Sequence, residues 1–358
     1  NSFCTLLAPK MTSKAVPAVC RRLLLSEPGP VTNFKMSHDA AVKAPAGREV
    51  LVKVHACALA YRDVLDRQGA FKFIRRPTVL GHEFAGVVVA KGDEAQDFAV
   101  GDKVLSMHWD QTQAWPSPLN KAGAVDTMFG LTCDGGYGEY VTAPYGSFGK
   151  APAKMSAVEA ACVMSTFGTV WNGAFTRGQL QPGSSVLVTG ATGGVGSAAV
   201  QLARAHGCRV TAVTSSAAKA EFLKEDLKAD DVVVAKDDGS YKAAAHDMTI
   251  ECVGGPTFAS TLRATAPGGK MVLVGNVTNA KVDLPLGFCI LNSVSIIGSD
   301  SIRREELSGP LADFMAKHDL RPRVHAVMPL AMAGAAHTML ERRAVCGRIV
   351  LNVSGGDW

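Results

Sequence analysis

The chain has 358 residues, 47% of them hydrophobic and only 19% charged, with a formal net charge of +5. That length exceeds what a single core usually supports, so two domains are expected. A charged fraction below the roughly 25% of typical soluble domains points to a large buried core. No basic tract exists beyond pairs such as Arg75-Arg76 and Arg303-Arg304, which argues against nucleic acid as a partner. No apolar run reaches the roughly 18 residues of a membrane span, which argues against a membrane.

Residues 1–26 contain no Asp or Glu but do contain Lys10, Lys14, Arg21 and Arg22. This bias suits an organelle transit remnant; the plainer reading is a tail over 1–16. Nine scattered cysteines, an odd number, read as reduced thiols of an intracellular enzyme. The expected location is cytoplasmic, with mitochondrial as the alternative.

From residue 17 to 159 the chain reads as short strands punctuated by Gly and Pro, such as "CRRLLLSEPGPVTNF", "EVLVKVHACAL" and "FAGVVVAKG". Over 160–302 strands alternate with helical runs, the pattern of a parallel sheet covered on both faces. A return segment over 303–358 adds a helix and the strand "GRIVLNV". The expected class is α/β, with a doubly wound domain inserted in a β-rich one.

"VLVTGATGGVGSAAVQLARAHG" is the most specific motif. A strand runs into Gly190, a glycine-rich turn follows, and an Ala-rich helix starts at once. Gly193 allows backbone to approach a pyrophosphate, and Gly196 lets the helix pack close to the strand. The phosphate then lies at the positive helix N-terminus. Ala191 stands where the strict fingerprint has its first glycine. Gly190, Ala191, Gly193, Gly194, Val195 and Gly196 are therefore expected to bind a dinucleotide.

The next strand, "RVTAVT", ends in Ser215-Ser216-Ala217-Ala218-Lys219, with no carboxylate before Glu221. An acidic residue here would bind a ribose 2′-hydroxyl. Two hydroxyls and an ammonium suit a 2′-phosphate instead. Ser215, Ser216 and Lys219 thus point to NADPH as the cofactor.

"PTVLGHEFAGVV" raises the question of a metal at His82, since catalytic zinc wants three protein ligands and an open position. With this motif, "AYRDVLDRQGAF", "DGGYGEYVTAP" and "GATGGVG", the chain from about residue 20 resembles the medium-chain dehydrogenase/reductase superfamily. Within it, the zinc-independent quinone oxidoreductase branch, similar to zeta-crystallin, fits best.

The resemblance implies a GroES-like substrate domain around a Rossmann domain. Zinc members carry a cysteine where this chain has Ala60, and their third ligand matches Ser165. Cys162 falls three positions early, and the loop from Leu105 to Gly135 holds only Cys133 where zinc members have four cysteines. No metal is therefore expected. His82 reads as structural, and Glu83 as the partner of an arginine.

Without a metal, hydride must go to an already electron-poor carbon, so the expected substrate is a small-molecule quinone or an α,β-unsaturated carbonyl. Tyr61 is the catalytic candidate, either a donor to the acceptor oxygen or an aromatic wall. Arg62 and Asp63 are expected to pair locally. By family analogy Thr169 and Trp171 face the nicotinamide, and Gly275 joins the cofactor site. The loop bearing His108, Trp109 and Trp115 is read as a cleft cap or a domain contact. The edge strand "SVSIIGS" is expected to pair into a homodimer. Two alternatives stay open: a zinc alcohol dehydrogenase using Cys57 or Cys162, and an NADPH-binding protein without turnover.

Overall fold

A computed structural model describes residues 16–70, 75–112 and 127–358. Eight strands come first: β1 (Val19–Leu25), β2 (Phe34–Ala41), β3 (Glu49–Leu59), β4 (Thr78–Val79), β5 (Glu83–Lys91), β6 (Lys103–Ser106), β7 (Tyr140–Pro144) and β8 (Phe148–Lys150). Six parallel strands follow: β9 (Ser185–Val188), β10 (Arg209–Thr214), β11 (Asp231–Val234), β12 (His246–Glu251), β13 (Thr265–Leu273) and β14 (Ser295–Gly298). The chain closes with β15 (Val324–Pro329) and β16 (Arg348–Asn352).

The parallel strands form one sheet in the order β11-β10-β9-β12-β13-β14. The first strand of the motif is central and the order reverses beside it, which opens a crevice at the strands' carboxyl ends. Central β9 and β10 are buried over nearly their full length, whereas the edges β11 and β14 are largely not. That difference explains why their sequences read as continuous apolar runs.

The return segment folds back on the first half. β16 pairs antiparallel with β3, setting Ile349 opposite Leu59 and Leu351 opposite Cys57. The resulting sheet runs β15-β16-β3-β5-β6-β8, with β7 also on β3, and β2-β1-β4 makes a smaller sheet. One apolar core ties the two large sheets together, joining Ala58, Ala85 and Val350 to Val188, Ala198 and Ile250. Between them lies a long irregular helix with wide π-type turns over Val163–Gly168 and Trp171–Arg177.

Candidate functional site

The glycine-rich turn sits where the two sheets meet. Gly190 has φ +55°, a left-handed conformation that β9 needs to break sharply into the turn. The helix Gly194–Ala205 begins directly after it, with Gly193 as its N-cap. A Cβ on Gly196 would lie 2.3 Å from the Gly190 carbonyl oxygen, so only glycine lets the helix lie this close. The N–H groups of the helix's first turn have no intrahelical acceptor. They border a cavity of about 370 Å³, with Ser215, Lys219 and Arg343 on its wall.

Gly190, Gly193 and Gly194 also line a second cavity, of about 350 Å³, together with Val195, Gly196, Thr169 and Gly275. Tyr61 lines both, so the two are halves of one cleft. The glycines and unpaired N–H groups of this cradle suit a dinucleotide. Ala191 is fully buried behind the turn, and its N–H donates to the Val213 carbonyl. Ser216 lines neither cavity; its N–H donates to Thr214 Oγ1 at 3.2 Å. Lys219 reaches the cavity, but its Nζ donates to the carbonyls of Arg343 at 2.7 Å and Val345 at 2.8 Å.

At the other end, Tyr61, His82, His108 and Ser165 line the cleft. Tyr61 opens the helix Tyr61–Gln68, and Asp63 in its first turn accepts the Ala60 N–H at 2.8 Å. Asp63 is fully buried and stands 3.3 Å from His82 Nδ1. Burial alone would raise the Asp63 carboxyl, but His82 and the Ala60 N–H outweigh it and hold the group well below the usual carboxylate range.

The expected Arg62–Asp63 pair does not form. Arg62 reaches Asp66 at 3.4 Å, because residues four apart share a helix face and adjacent ones do not. Asp66 is buried, and burial, against the pull of Arg62, pushes its carboxyl up to about 6. His108 lies beside His82, ring centroids 5.8 Å apart. Burial first, then the neighbouring His82 and Arg62, press its pKa well below the ordinary histidine value.

Glu83 has the arginine expected of it. The partner is Arg348 on β16, and both side chains are almost fully buried. Glu83 also accepts the Ser165 N–H at 2.9 Å and the Ser165 hydroxyl. Of the three positions that would hold catalytic zinc, one is therefore the methyl of Ala60, and one is a hydroxyl already bound to a carboxylate. The third, His82, meets Asp63 through Nδ1 at 3.3 Å and would offer one ring nitrogen, one ligand where three are needed. Cys57 and Cys162 do not substitute for them: both are fully buried in the apolar cores, and the Cys162 thiol donates to the Val158 carbonyl at 3.4 Å. Among the described residues no three His, Cys, Asp or Glu side chains group to hold a metal. These residues do not fit a catalytic zinc.

Trp171 lines neither cavity. It stacks on Phe175 at 4.6 Å and packs near Phe314. Trp109 is buried next to Arg303, and Trp115 lies outside the described residues. Three residues matter here that sequence reading missed. Arg348 and Arg343 come from the return segment, 265 and 124 residues from the Glu83 and Lys219 they meet. Glu251, fully buried, accepts from Thr189 Oγ1, the Val253 and Gly254 N–H groups and Thr257 Oγ1, at 2.8–2.9 Å. It fixes the turn after β12 that carries Cys252 and Val253 into the cleft wall. Its only sequence signal is a carboxylate ending an apolar strand.

The family described as alcohol dehydrogenase GroES-like domain matches residues 46–153, and that described as zinc-binding dehydrogenase matches 194–317. An acryloyl-coenzyme A reductase of Metallosphaera sedula is 34% identical over 312 residues, 86% of this chain and 93% of that protein. The chain is a medium-chain dehydrogenase/reductase.

An alcohol dehydrogenase of Geobacillus stearothermophilus is 30% identical to this dehydrogenase/reductase over 325 residues, 85% of the chain and 91% of that enzyme. Among solved structures, AibC superposes with a TM-score of 0.83 at 36% identity, covering 94% of this chain and 96% of that one. A crotonyl-CoA carboxylase/reductase, AntE, in complex with NADP shares the fold with a TM-score of 0.83 at 20% identity, each chain 98% covered. This dehydrogenase/reductase is thus an oxidoreductase that uses a nicotinamide cofactor on a small molecule. No described helix is long and apolar enough to cross a membrane.

Proposed function

We propose that the protein is an NADPH-dependent, metal-independent reductase of conjugated carbonyls, with α,β-unsaturated thioesters as the favoured substrates and quinones as the secondary class. One observation carries this reading. Of the three positions that would hold a catalytic zinc, one is a methyl and one a hydroxyl committed to Glu83, so that His82, held by Asp63 through Nδ1, supplies a single ligand where three are needed. Without a Lewis acid to polarise an isolated carbonyl, the acceptor must bring its own electron sink, as a conjugated carbonyl does. The relatives named acryloyl-coenzyme A reductase add weight to the thioester.

A nicotinamide bound in the cleft would supply hydride to the carbon conjugated with the carbonyl. Gly193, Gly194, Val195 and Gly196 would hold the pyrophosphate on backbone N–H groups. Ser215 and its neighbours take the adenosine end, while Thr169 and Gly275 border the nicotinamide. Tyr61 closes the wall between cofactor and substrate and donates its hydroxyl to the carbonyl oxygen as charge builds there. Asp63 orients His82 so that Nε2 is left for the cleft.

The assembly we infer is a homodimer. Leu286, Ile290 and Leu291 are 65%, 74% and 87% exposed next to the open edge β14. An apolar cluster beside an unpaired strand is what a second copy would cover. Sedimentation at micromolar concentration should give twice the chain mass; a strict monomer overturns it.

The decisive experiment is NADPH oxidation, after extended chelation, against enoyl thioesters, enones, quinones and simple aldehydes. Chelator-resistant turnover on the conjugated acceptors alone is expected. Turnover restored only by zinc returns the protein to the alcohol dehydrogenases. Cofactor binding without any turnover makes it a nucleotide-binding protein.

A further inference from the structure

The adenosine end of the cleft is built by two distant parts of the chain. Ser215 and Lys219 come from the turn after β10. Arg343 comes from the return segment, just past the helix Ala333–Glu341, and lines the same cavity. Arg343 takes a left-handed conformation there, φ +52°, at a helix end where glycine is usual. Its side chain is exposed, and no ion pair or hydrogen bond occupies its guanidinium among the described residues. Lys219 differs. Its Nζ is spent on the backbone carbonyls of Arg343 and Val345, 2.7 and 2.8 Å away. An ammonium holding two carbonyls has one N–H left to offer a ligand, whereas a guanidinium has five donors in a planar fork suited to phosphate.

We propose that Arg343 is the residue that reads the 2′-phosphate of NADPH, and that Lys219 is a positioning residue that ties the Arg343 turn to the nucleotide-binding sheet. The proposal rests on the NADPH reading above. It also makes cofactor choice a property of the return segment. That segment is fastened at a second point by the Gly347 N–H, which donates to the Thr192 carbonyl at 2.7 Å within the glycine-rich turn. The groups that oppose this reading are Asp237 and Asp238, which line the cavity from the loop after β11. Lys236 lines the cavity beside them, so a 2′-phosphate must be drawn to Arg343 against two carboxylates and in competition with that ammonium.

Affinities for NADPH and NADH, with competition by 2′,5′-ADP and 5′-AMP, test it in Arg343→Ala, Arg343→Lys and Lys219→Met. Loss of a charged hydrogen-bond donor should weaken NADPH and 2′,5′-ADP by roughly ten- to a hundredfold. NADH and 5′-AMP should bind as before. Arg343→Lys should recover part of the loss, because an ammonium keeps the charge without the fork. Lys219→Met should cost less than Arg343→Ala, and in the double variant the two losses should fall short of their sum. Arg343→Ala that keeps full NADPH preference, or weakens both cofactors equally, overturns the proposal alone. Full additivity with Lys219 overturns the positioning role. A wild-type enzyme that binds NADH as tightly as NADPH overturns the cofactor reading, and the proposal with it.

Discussion

The two halves of the cleft are made from different materials. The nucleotide half is mostly backbone: a left-handed glycine, a helix N-terminus and a turn held by Glu251. The acceptor half is lined by His82, His108 and Arg348 and backed by the buried carboxylates Asp63, Asp66 and Glu83. Backbone dipoles are fixed by the fold and need no compensation when a phosphate arrives. Buried charges must be compensated at every moment, so the acceptor half is stable only as a set. The difference predicts that single substitutions will act gently on the first half unless they add bulk, and through charge balance on the second.

Glu83→Gln attacks that balance most directly, because it leaves Arg348 charged and almost fully buried. Removing one member of such a pair costs about 3–5 kcal/mol. The thermal midpoint should fall sharply while cofactor contacts in the unfolding-free range stay intact. A variant as stable as the wild type would show that water compensates Arg348.

Asp66→Asn should act in the opposite direction. Its carboxyl is raised by burial from 3.8 to about 6, so the folded state keeps a proton that the unfolded chain has released. Folding stability therefore drops as pH rises from 3.8 to about 6, and stays reduced above that. The neutral amide should remove a penalty on the order of 2–3 kcal/mol at pH 8 and give no advantage near pH 3.5. Denaturant midpoints at the two pH values check it; a variant destabilised at pH 8 would mean that the Arg62 ion pair dominates.

Gly196→Ala tests the backbone half. The added methyl has to displace the Gly190 carbonyl, 2.3 Å away, and overpacking of this kind costs roughly 1–3 kcal/mol. Cofactor affinity should fall with stability, since the same shift moves the helix start. Unchanged affinity would place the phosphates elsewhere.

Tyr61→Phe should have the smallest effect. A conjugated acceptor spreads the developing charge, so one donor should matter less than the 10²–10³ in rate of a full oxyanion-hole donor. Turnover on quinones should slow less than about tenfold and on enones somewhat more, because an enolate is the more basic product. Equal, negligible changes in kcat would make Tyr61 a wall.

What the chain alone determined follows from contact range. The crossover from β9 through the glycine-rich turn to its helix lies within 22 consecutive residues, "VLVTGATGGVGSAAVQLARAHG". Its geometry is dictated by local sterics and hydrogen bonding, so the strand, the turn and the helix were legible there, and with the strand–helix alternation that follows, the fold class; the meaning of Ala60 and Ser165 came from the family resemblance. Other features needed the tertiary structure. Which carboxylate Arg62 meets is decided by helical periodicity over its own turn. Whether Lys219 faces a phosphate or two carbonyls is decided by a segment 124 residues further on. That Glu83 has its counter-charge in Arg348, 265 residues away, depends on β16 closing against β3. A side chain's charge is written in the sequence, but its partner is set by whichever distant strand or turn packs against it.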